Sequence, residues 1–288
     1  MTTTLNPGQI TFIAAKNQPP LPPPALLCRD KFNEILHDLE PVSLLLVHAP
    51  AGYGKTTTIA ERLATLEART AWVRLESSDN DPGRFAGYLA NALNGETGGS
   101  CAQVLKALQS DDYPDLEAFL TDLLADLPQD DEPLYLVLDD YHLITNVEIH
   151  EALRFLLRHL PGYLTLVVIS RTIPPVGVAE LRMQGRLAEV TSRDLGFGPD
   201  EAQQYLQSRL PFEIAREDIE RAVRRVEGWI SALQLLSASA ATSIEFSDFV
   251  DQLEHGNQNI FDYFDELVGN DLSEQQRRFL MRTSILER

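Results

Sequence analysis

The segment from Ala49 to Thr56 has the residue types and the spacing of a phosphate-binding loop. It reads Ala-Pro-Ala-Gly-Tyr-Gly-Lys-Thr and fits the pattern GxxxxGK[ST], with Ala49 in place of the first glycine. Gly52 and Gly54 allow backbone N–H groups to wrap a phosphate without interference from a Cβ atom, and a following helix N-terminus adds partial positive charge. We therefore expect Lys55 to reach the β- and γ-phosphates of a nucleotide and the Thr56 hydroxyl to bind Mg²⁺.

Two adjacent carboxylates follow a second apolar segment. Leu134 to Leu138 is apolar throughout, and Asp139 and Asp140 come directly after it. We expect Asp139 to hold Mg²⁺ and Asp140 to orient or deprotonate an attacking water molecule. An Asp pair at the end of a strand is by itself often only a turn or a helix cap. Its combination with the phosphate-binding loop favours the catalytic interpretation.

A third candidate is Arg171, which follows Ser170 at the end of the largely apolar segment from Leu164 to Ile169. In an open parallel sheet, ligands lie beyond the carboxyl ends of the strands, so this arginine could approach the γ-phosphate and distinguish a triphosphate from a diphosphate. The alternative is a solvated loop arginine or a structural ion pair. His142 and His150 are eight residues apart with no supporting carboxylate pattern, so they predict no metal site.

The elements that must position these residues form an alternating pattern. Apolar strand patterns are separated by helix-spaced leucines, which is typical of an α/β fold with a parallel sheet covered by helices on both faces. After residue 195 the strand patterns stop, and the helical patterns at 201–209 and 216–227 predict a smaller helical domain. The predicted strands are 44–47, 70–75, 134–139, 164–170 and 187–190.

Composition excludes several classes of protein. Among 288 residues, Lys and Arg number 24 and Asp and Glu number 43, and the formal net charge of −19 argues against a chain that holds nucleic acid electrostatically. The two cysteines form no CxxC pair, so the sequence supports neither a disulfide scaffold nor a zinc site. The chain also lacks a signal-peptide pattern and a membrane-length apolar run, which predicts a cytoplasmic protein without membrane contact.

Four groups of residues together resemble the N-terminal ATPase of the large ATP-binding LuxR-type transcriptional activators, which are STAND-class signalling ATPases. These groups are Pro50 to Thr57, Asp139 to Ile144, Ser170 with Arg171, and Glu227 to Trp229 with Ala232 to Leu235. The resemblance covers nearly the whole chain and implies a P-loop NTPase that binds ATP or ADP with Mg²⁺. It places cofactor contacts along Pro50, Ala51, Gly52, Tyr53, Gly54, Lys55, Thr56 and Thr57.

The resemblance also implies a domain order and a switch. We expect a proline-rich arm at 1–27, a nucleotide-binding domain at 28–195, a helical lid at 196–243 and the incomplete start of a winged-helix domain at 244–288. In such proteins ADP holds a resting monomer, ATP with an inducer favours self-association, and slow hydrolysis resets the switch. The parts that bind the small-molecule inducer and DNA lie downstream in family members, and this chain ends before both.

The resemblance alone suggests roles for one further residue, Arg29, and for one short element, Gly228 to Ile230. Arg29 would lie near the nucleotide base or ribose. Gly228, Trp229 and Ile230 stand where related ATPases often carry a Gly-x-Pro element that senses the nucleotide. Because Ile230 replaces the proline, we assign no nucleotide contact to this element.

Two other functions compete with the switch. A stand-alone P-loop ATPase or kinase would act on a polymer or a small acceptor, and its turnover would depend on that partner. An interaction module with an idle site would bind ADP only structurally. No acceptor-site motif is evident, and the presence of Lys55, Thr56 and both aspartates weighs against an idle site.

Overall fold

The computed structural model describes residues 11–20, 42–110, 113–128, 132–239 and 243–255. The chain divides into two compact units. The first comprises Met1–Pro50 and Lys55–Asp194, and the second comprises Ala51–Gly54 and Leu195–Arg288. Among the described residues, no helix combines the length and the apolarity that crossing a bilayer requires.

The first unit is built on a five-stranded parallel sheet. Its strands pair in the order β2-β3-β4-β1-β5, and each bound lies within one residue of its prediction. Every residue of β3 and β4 is buried, because both faces of the sheet are covered. The predicted α/β fold with a helix-covered parallel sheet is confirmed. The strands are β1 (Leu44–His48), β2 (Arg69–Arg74), β3 (Leu134–Asp139), β4 (Leu164–Ser170) and β5 (Leu187–Thr191).

Helices connect and cover these strands. Several begin at side-chain caps: Asp81 accepts a hydrogen bond from the Arg84 N–H, and Asp115 accepts one from the Ala118 N–H. The sequence did not predict helices α2 and α3. Glycines interrupt the apolar pattern of α2, and α3 has only 8 residues. The helices of this unit are α1 (Lys55–Thr65), α2 (Pro82–Glu96), α3 (Ala102–Gln109), α4 (Leu116–Asp126), α5 (Val147–His159) and α6 (Val178–Met183), followed by the single turn α7 (Ser192–Leu195).

The described part of the second unit contains helices but no strand. These are α8 (Pro199–Gln207), α9 (Arg216–Val226), α10 (Ile230–Ser239) and α11 (Ser243–His255). Helix α9 packs against the other three and buries Ile219, Ala222 and Val223. The assignments of 196–243 to a lid and of 244–288 to a winged-helix domain stay predictions. Residues 256–288 and Arg29 lie outside the described residues.

Part of the proline-rich arm docks on the edge strand β2. Lys16 is only 3% exposed and forms ion pairs with buried Asp79 and, at 3.5 Å, with Glu76. The Asn17 side-chain amide donates a hydrogen bond to the Trp72 carbonyl at 2.9 Å. Asn17 thereby satisfies one carbonyl of an edge strand, and the docked segment covers part of that edge.

We expect Lys16→Ala to lower the free energy of unfolding by about 3 kcal/mol, because it leaves the buried Asp79 carboxylate without its main cation. Urea denaturation measures the change. Lys106→Ala, which removes an exposed lysine from α3, is the matched control and should change stability by less than about 0.5 kcal/mol. Equal stabilities of the two variants would show that the ion pair contributes nothing.

Candidate nucleotide-binding site

The parallel sheet brings the predicted site residues of the first unit to one edge. Lys55 begins α1 soon after β1 ends, Asp139 ends β3, and Arg171 follows β4. Since β3, β4 and β1 are neighbours in the sheet, their carboxyl ends lie side by side. Electrostatic interactions join Lys55 to Arg171, Asp140 and Asp139. The structure therefore gathers the four residues that the sequence singled out from separate parts of the chain.

A hydroxyl and a carboxylate meet at the centre of this edge. The Thr56 Oγ1 donates a hydrogen bond to Asp139 Oδ1 at 2.8 Å, and the Asp140 N–H donates to the same oxygen at 3.0 Å. Asp139 is 1% exposed, and burial, with a further contribution from the Asp140 charge, raises its pKa to about 6. Two adjacent hard oxygen atoms, one of them a buried carboxylate, form a donor set that fits Mg²⁺.

Two cationic side chains lie close together beside this oxygen pair. The Lys55 Nζ donates hydrogen bonds to the carbonyls of Ala49 at 2.8 Å and Pro50 at 3.0 Å. Burial and, as a smaller cause, the nearby Arg171 charge lower the pKa of Lys55 to about 8, although the Asp140 and Asp139 charges oppose the shift. A bound anion would relieve the repulsion between the two cations, so the arrangement favours a phosphate.

Asp140 is held in an unusual backbone conformation. Its φ is +58°, and the left-handed region is one that few residues other than glycine, Asn and Asp adopt. A short 3₁₀ helix, Tyr141–Leu143, begins directly after it. The Arg74 Nε lies 3.7 Å from Asp140 Oδ2. The strained turn and the ion pair together fix the direction of this carboxylate at the edge of the sheet.

Sequence reasoning missed two residues at this edge. Arg74 is the next-to-last residue of the predicted strand 70–75, and its place at this edge follows only from the pairing of β2 with β3. The sequence predicted no role for His142 at this site, yet its charge interacts with those of Arg171, Asp140 and Lys55. Burial, aided by the Arg171 charge, lowers the pKa of His142, so its imidazole is neutral at pH 7. Its buried Nδ1 has no hydrogen-bond partner among the described residues.

The glycines of the loop adopt the conformations that the pattern requires. Gly52 has a φ of +79° and Gly54 a φ of +74°, a region in which a side chain is strained. The cofactor contacts predicted for all the loop residues, Pro50 to Thr57, stay predictions, as does the role of Arg29.

A comparison with known proteins gives relatives among transcriptional regulators. The chain is 41% identical over 260 residues to the HTH-type transcriptional regulator MalT of Yersinia enterocolitica. The aligned region covers 90% of this chain and 29% of that protein. MalT of Serratia proteamaculans is 40% identical to this chain, and the aligned region again covers 90% of this chain and 29% of that protein. The chain thus spans less than a third of the length of these relatives.

Solved structures share the fold at low sequence identity. A STAND protein with a tetratricopeptide repeat sensor from Pyrococcus horikoshii superposes with a TM-score of 0.56 at 16% identity, over 83% of this chain and 33% of its own. The Walker-type ATPase of Pyrococcus abyssi gives a TM-score of 0.54 at 13% identity, over 86% of this chain and 75% of its own. These two structures show a shared fold, and the identity to the MalT proteins confirms the predicted resemblance to transcriptional regulators.

The model of one protein family, described as the AAA ATPase domain, matches residues 26–169. This segment is half of the chain, and it contains both the phosphate-binding loop and the acidic pair. Four of the five strands also fall within it or end one residue beyond it. The order of the strands and the family match agree: this chain belongs to the AAA ATPase domain family.

Proposed function

We propose that this chain is the nucleotide-dependent regulatory module of a MalT-like transcriptional regulator, and that it binds ATP and ADP with Mg²⁺ and hydrolyses ATP slowly. The observation that carries the proposal is the hydrogen bond between Thr56 and Asp139, which joins the phosphate-binding loop to the acidic strand end. The identity to MalT regulators over 90% of the chain supports the regulatory role.

Lys55 and Arg171 would contact the phosphates. Their mutual repulsion means that a triphosphate, with one more anionic group than a diphosphate, relieves more of the local positive potential. Thr56 and Asp139 would hold Mg²⁺, which when bound neutralises charge on the β- and γ-phosphate oxygens. The two cationic side chains would thus bind the phosphates, and the hydroxyl and the carboxylate would bind the metal ion.

Asp140 would position the attacking water for hydrolysis. The water oxygen bonds to the γ-phosphorus, the bond to the bridging oxygen of ADP breaks, and Asp140 accepts the proton of the water. His142 is neutral at pH 7, so its imidazole can exchange hydrogen bonds with the same water without adding charge. Arg74 restrains Asp140 and would keep its carboxylate aimed at the water.

A switch needs a ligand that binds two states with different affinities. The γ-phosphate is the group that distinguishes ATP from ADP, and Lys55 and Arg171 are the side chains that would bind it. We accordingly propose a resting ADP-bound monomer, self-association in the ATP state, and a return to rest on hydrolysis. Inducer and DNA contacts would belong to the regions of a MalT-like protein that this chain does not cover.

Sedimentation velocity tests the switch. We expect Asp140→Asn, in which hydrolysis is blocked, to sediment as a monomer with Mg·ADP and as a larger species with Mg·ATP. One sedimentation coefficient with both nucleotides would contradict ATP-driven self-association. A parallel assay of wild-type turnover with small acceptors and with polymers tests the alternative: turnover that requires either partner would identify a kinase or a motor.

The pKa values of Lys55 and Asp139 predict how binding depends on pH. Phosphate binding favours charged Lys55, so affinity for Mg·ADP should be full below pH 8 and fall by up to about tenfold per pH unit above it. Mg²⁺ needs the Asp139 carboxylate, so the metal-dependent part of the affinity should be lost as the pH falls below about 6. Calorimetric titration from pH 5 to pH 10 measures both limbs.

Asp139→Asn tests whether Asp139 causes the loss of affinity at low pH, because an amide does not titrate in this pH range. This variant should bind nucleotide more weakly at neutral pH and should lose the metal-dependent decline below about pH 6. The alkaline decline should remain but move to lower pH, because the Asp139 charge also raises the pKa of Lys55. An affinity for Mg·ADP that stays constant through pH 10 in the wild-type chain would refute the assignment of Lys55.

A further inference from the structure

The outward carbonyls of the phosphate-binding loop are held by a second set of residues. Within the second unit, the Trp229 indole N–H donates a hydrogen bond to the Ala51 carbonyl at 2.8 Å. The Ser231 backbone N–H donates to the Gly52 carbonyl at 3.1 Å, and its hydroxyl donates to the same oxygen at 3.2 Å. Three donors thus fix two consecutive carbonyls, and the loop pattern itself gives no hint of them.

The backbone around Trp229 is built to present these donors. Gly228 has a φ of +70°, and a Cβ atom there would lie 2.6 Å from the Phe197 carbonyl oxygen. The Phe197 N–H donates to the Gly228 carbonyl, and the Trp229 N–H donates to the Val226 carbonyl, both at 2.9 Å. Trp229 is itself buried. The position of the indole is therefore set by packing and by backbone hydrogen bonds.

The fit against the loop leaves no room for a side chain at Gly52. A Cβ atom there would lie 2.5 Å from both the Ser231 hydroxyl oxygen and the Trp229 Nε1. The Tyr53 ring lies beside the indole, with its centroid 6.5 Å away. Gly52 is thus required for this close contact as well as for its positive φ.

The geometry of the peptide bond links these contacts to phosphate binding. In a planar trans peptide, the carbonyl and the N–H of one unit point in opposite directions. Holding the carbonyls of Ala51 and Gly52 toward Trp229 and Ser231 therefore turns the N–H groups of Gly52 and Tyr53 the other way. Those N–H groups are the ones that a phosphate-binding loop offers to its ligand.

We propose that Trp229 and Ser231 are positioning residues for phosphate binding, which orient the loop amides without touching the nucleotide. This inference rests on the proposed function, since it requires that the loop binds a nucleotide. Preorganised amides spare the ligand the cost of ordering the loop. Loss of this support weakens ATP and ADP binding by the same factor and leaves kcat unchanged, because uniform binding does not alter the chemical step.

Two variants and two matched controls test the proposal by calorimetry with Mg·ADP and a slowly hydrolysed Mg·ATP analogue. Trp229→Phe keeps an aromatic ring but removes the indole N–H that donates to the Ala51 carbonyl, and should raise both Kd values about tenfold. Ser231→Ala keeps the backbone N–H and should raise them about threefold. The controls are Trp72→Phe, which changes a buried side chain of β2, and Ser237→Ala, which removes a hydroxyl that donates to the Gln234 carbonyl within α10. Both controls should bind the two nucleotides with wild-type affinity.

The outcomes separate this inference from the proposed function. Failure of the wild-type chain to bind either nucleotide would overturn the proposed function. Binding by the wild-type chain with unchanged Kd values in both variants would overturn the positioning role alone. A merely structural role would lower the binding stoichiometry and the melting temperature while Kd stays constant, and that result would also overturn the inference.

Discussion

Lys55→Ala should weaken binding of Mg·ADP and Mg·ATP by at least about hundredfold. The wild-type ammonium is almost fully buried, lies against the carbonyls of Ala49 and Pro50, and faces a second cation, Arg171. A charge-assisted hydrogen bond contributes about 1.5 to 3 kcal/mol, and Lys55 would make more than one to the phosphates. Calorimetric titration of the purified variant measures the loss.

The matched control for this prediction is again Lys106→Ala, which removes an exposed lysine from α3. It should bind both nucleotides with wild-type affinity, which excludes a general effect of net charge. A melting curve establishes that Lys55→Ala is folded. A folded Lys55→Ala variant that binds Mg·ADP within about threefold of the wild-type Kd would show that the phosphates bind elsewhere.

Asp140→Asn should lower kcat by at least about hundredfold and change the Kd for Mg·ATP by less than about threefold. The amide has nearly the same shape as the carboxylate, but it cannot accept a proton from water, and a positioned general base contributes about 10²- to 10⁴-fold. The positive φ of Asp140 is tolerated equally well by Asn, so the turn before Tyr141–Leu143 should persist. Single-turnover hydrolysis measures the effect.

The matched control is Asp122→Asn, which removes an exposed carboxylate from α4 and should hydrolyse ATP at the wild-type rate.

Asp140→Asn has a second expected consequence, because the Asp140 charge raises the pKa of Lys55. Loss of that charge should move the alkaline decline in nucleotide affinity to lower pH. Wild-type kcat in Asp140→Asn would assign the base to another group, and His142 would then be the first to replace.

The sequence predicted the sheet because its strands carry a strong local signal. Runs such as Leu166 to Ile169 are apolar at every position, which is typical of a strand buried on both faces. Parallel pairing then brings the ends of β1, β3 and β4 together, so the grouping of Lys55, Asp139 and Arg171 could be predicted without knowing any side-chain contact.

The contacts that the sequence could not predict join residues far apart in the chain. Lys16 and Asp79 are 63 residues apart, and Trp229 and Ala51 are 178 residues apart. Nothing in the local pattern distinguishes a docked lysine from a solvated one, or an indole in a core from one that donates to a loop. Such pairs depend on how whole elements pack, and packing overrides local preference.

The nucleotide content of the purified chain tests the central claim most directly. The chain is denatured, the released nucleotide is identified by chromatography, and hydrolysis by the reloaded chain is then followed with and without Mg²⁺. We predict close to one ADP per chain and slow, Mg²⁺-dependent hydrolysis that requires Asp140. A chain that carries no nucleotide and binds neither ATP nor ADP when they are added would contradict both the site and the function proposed for it.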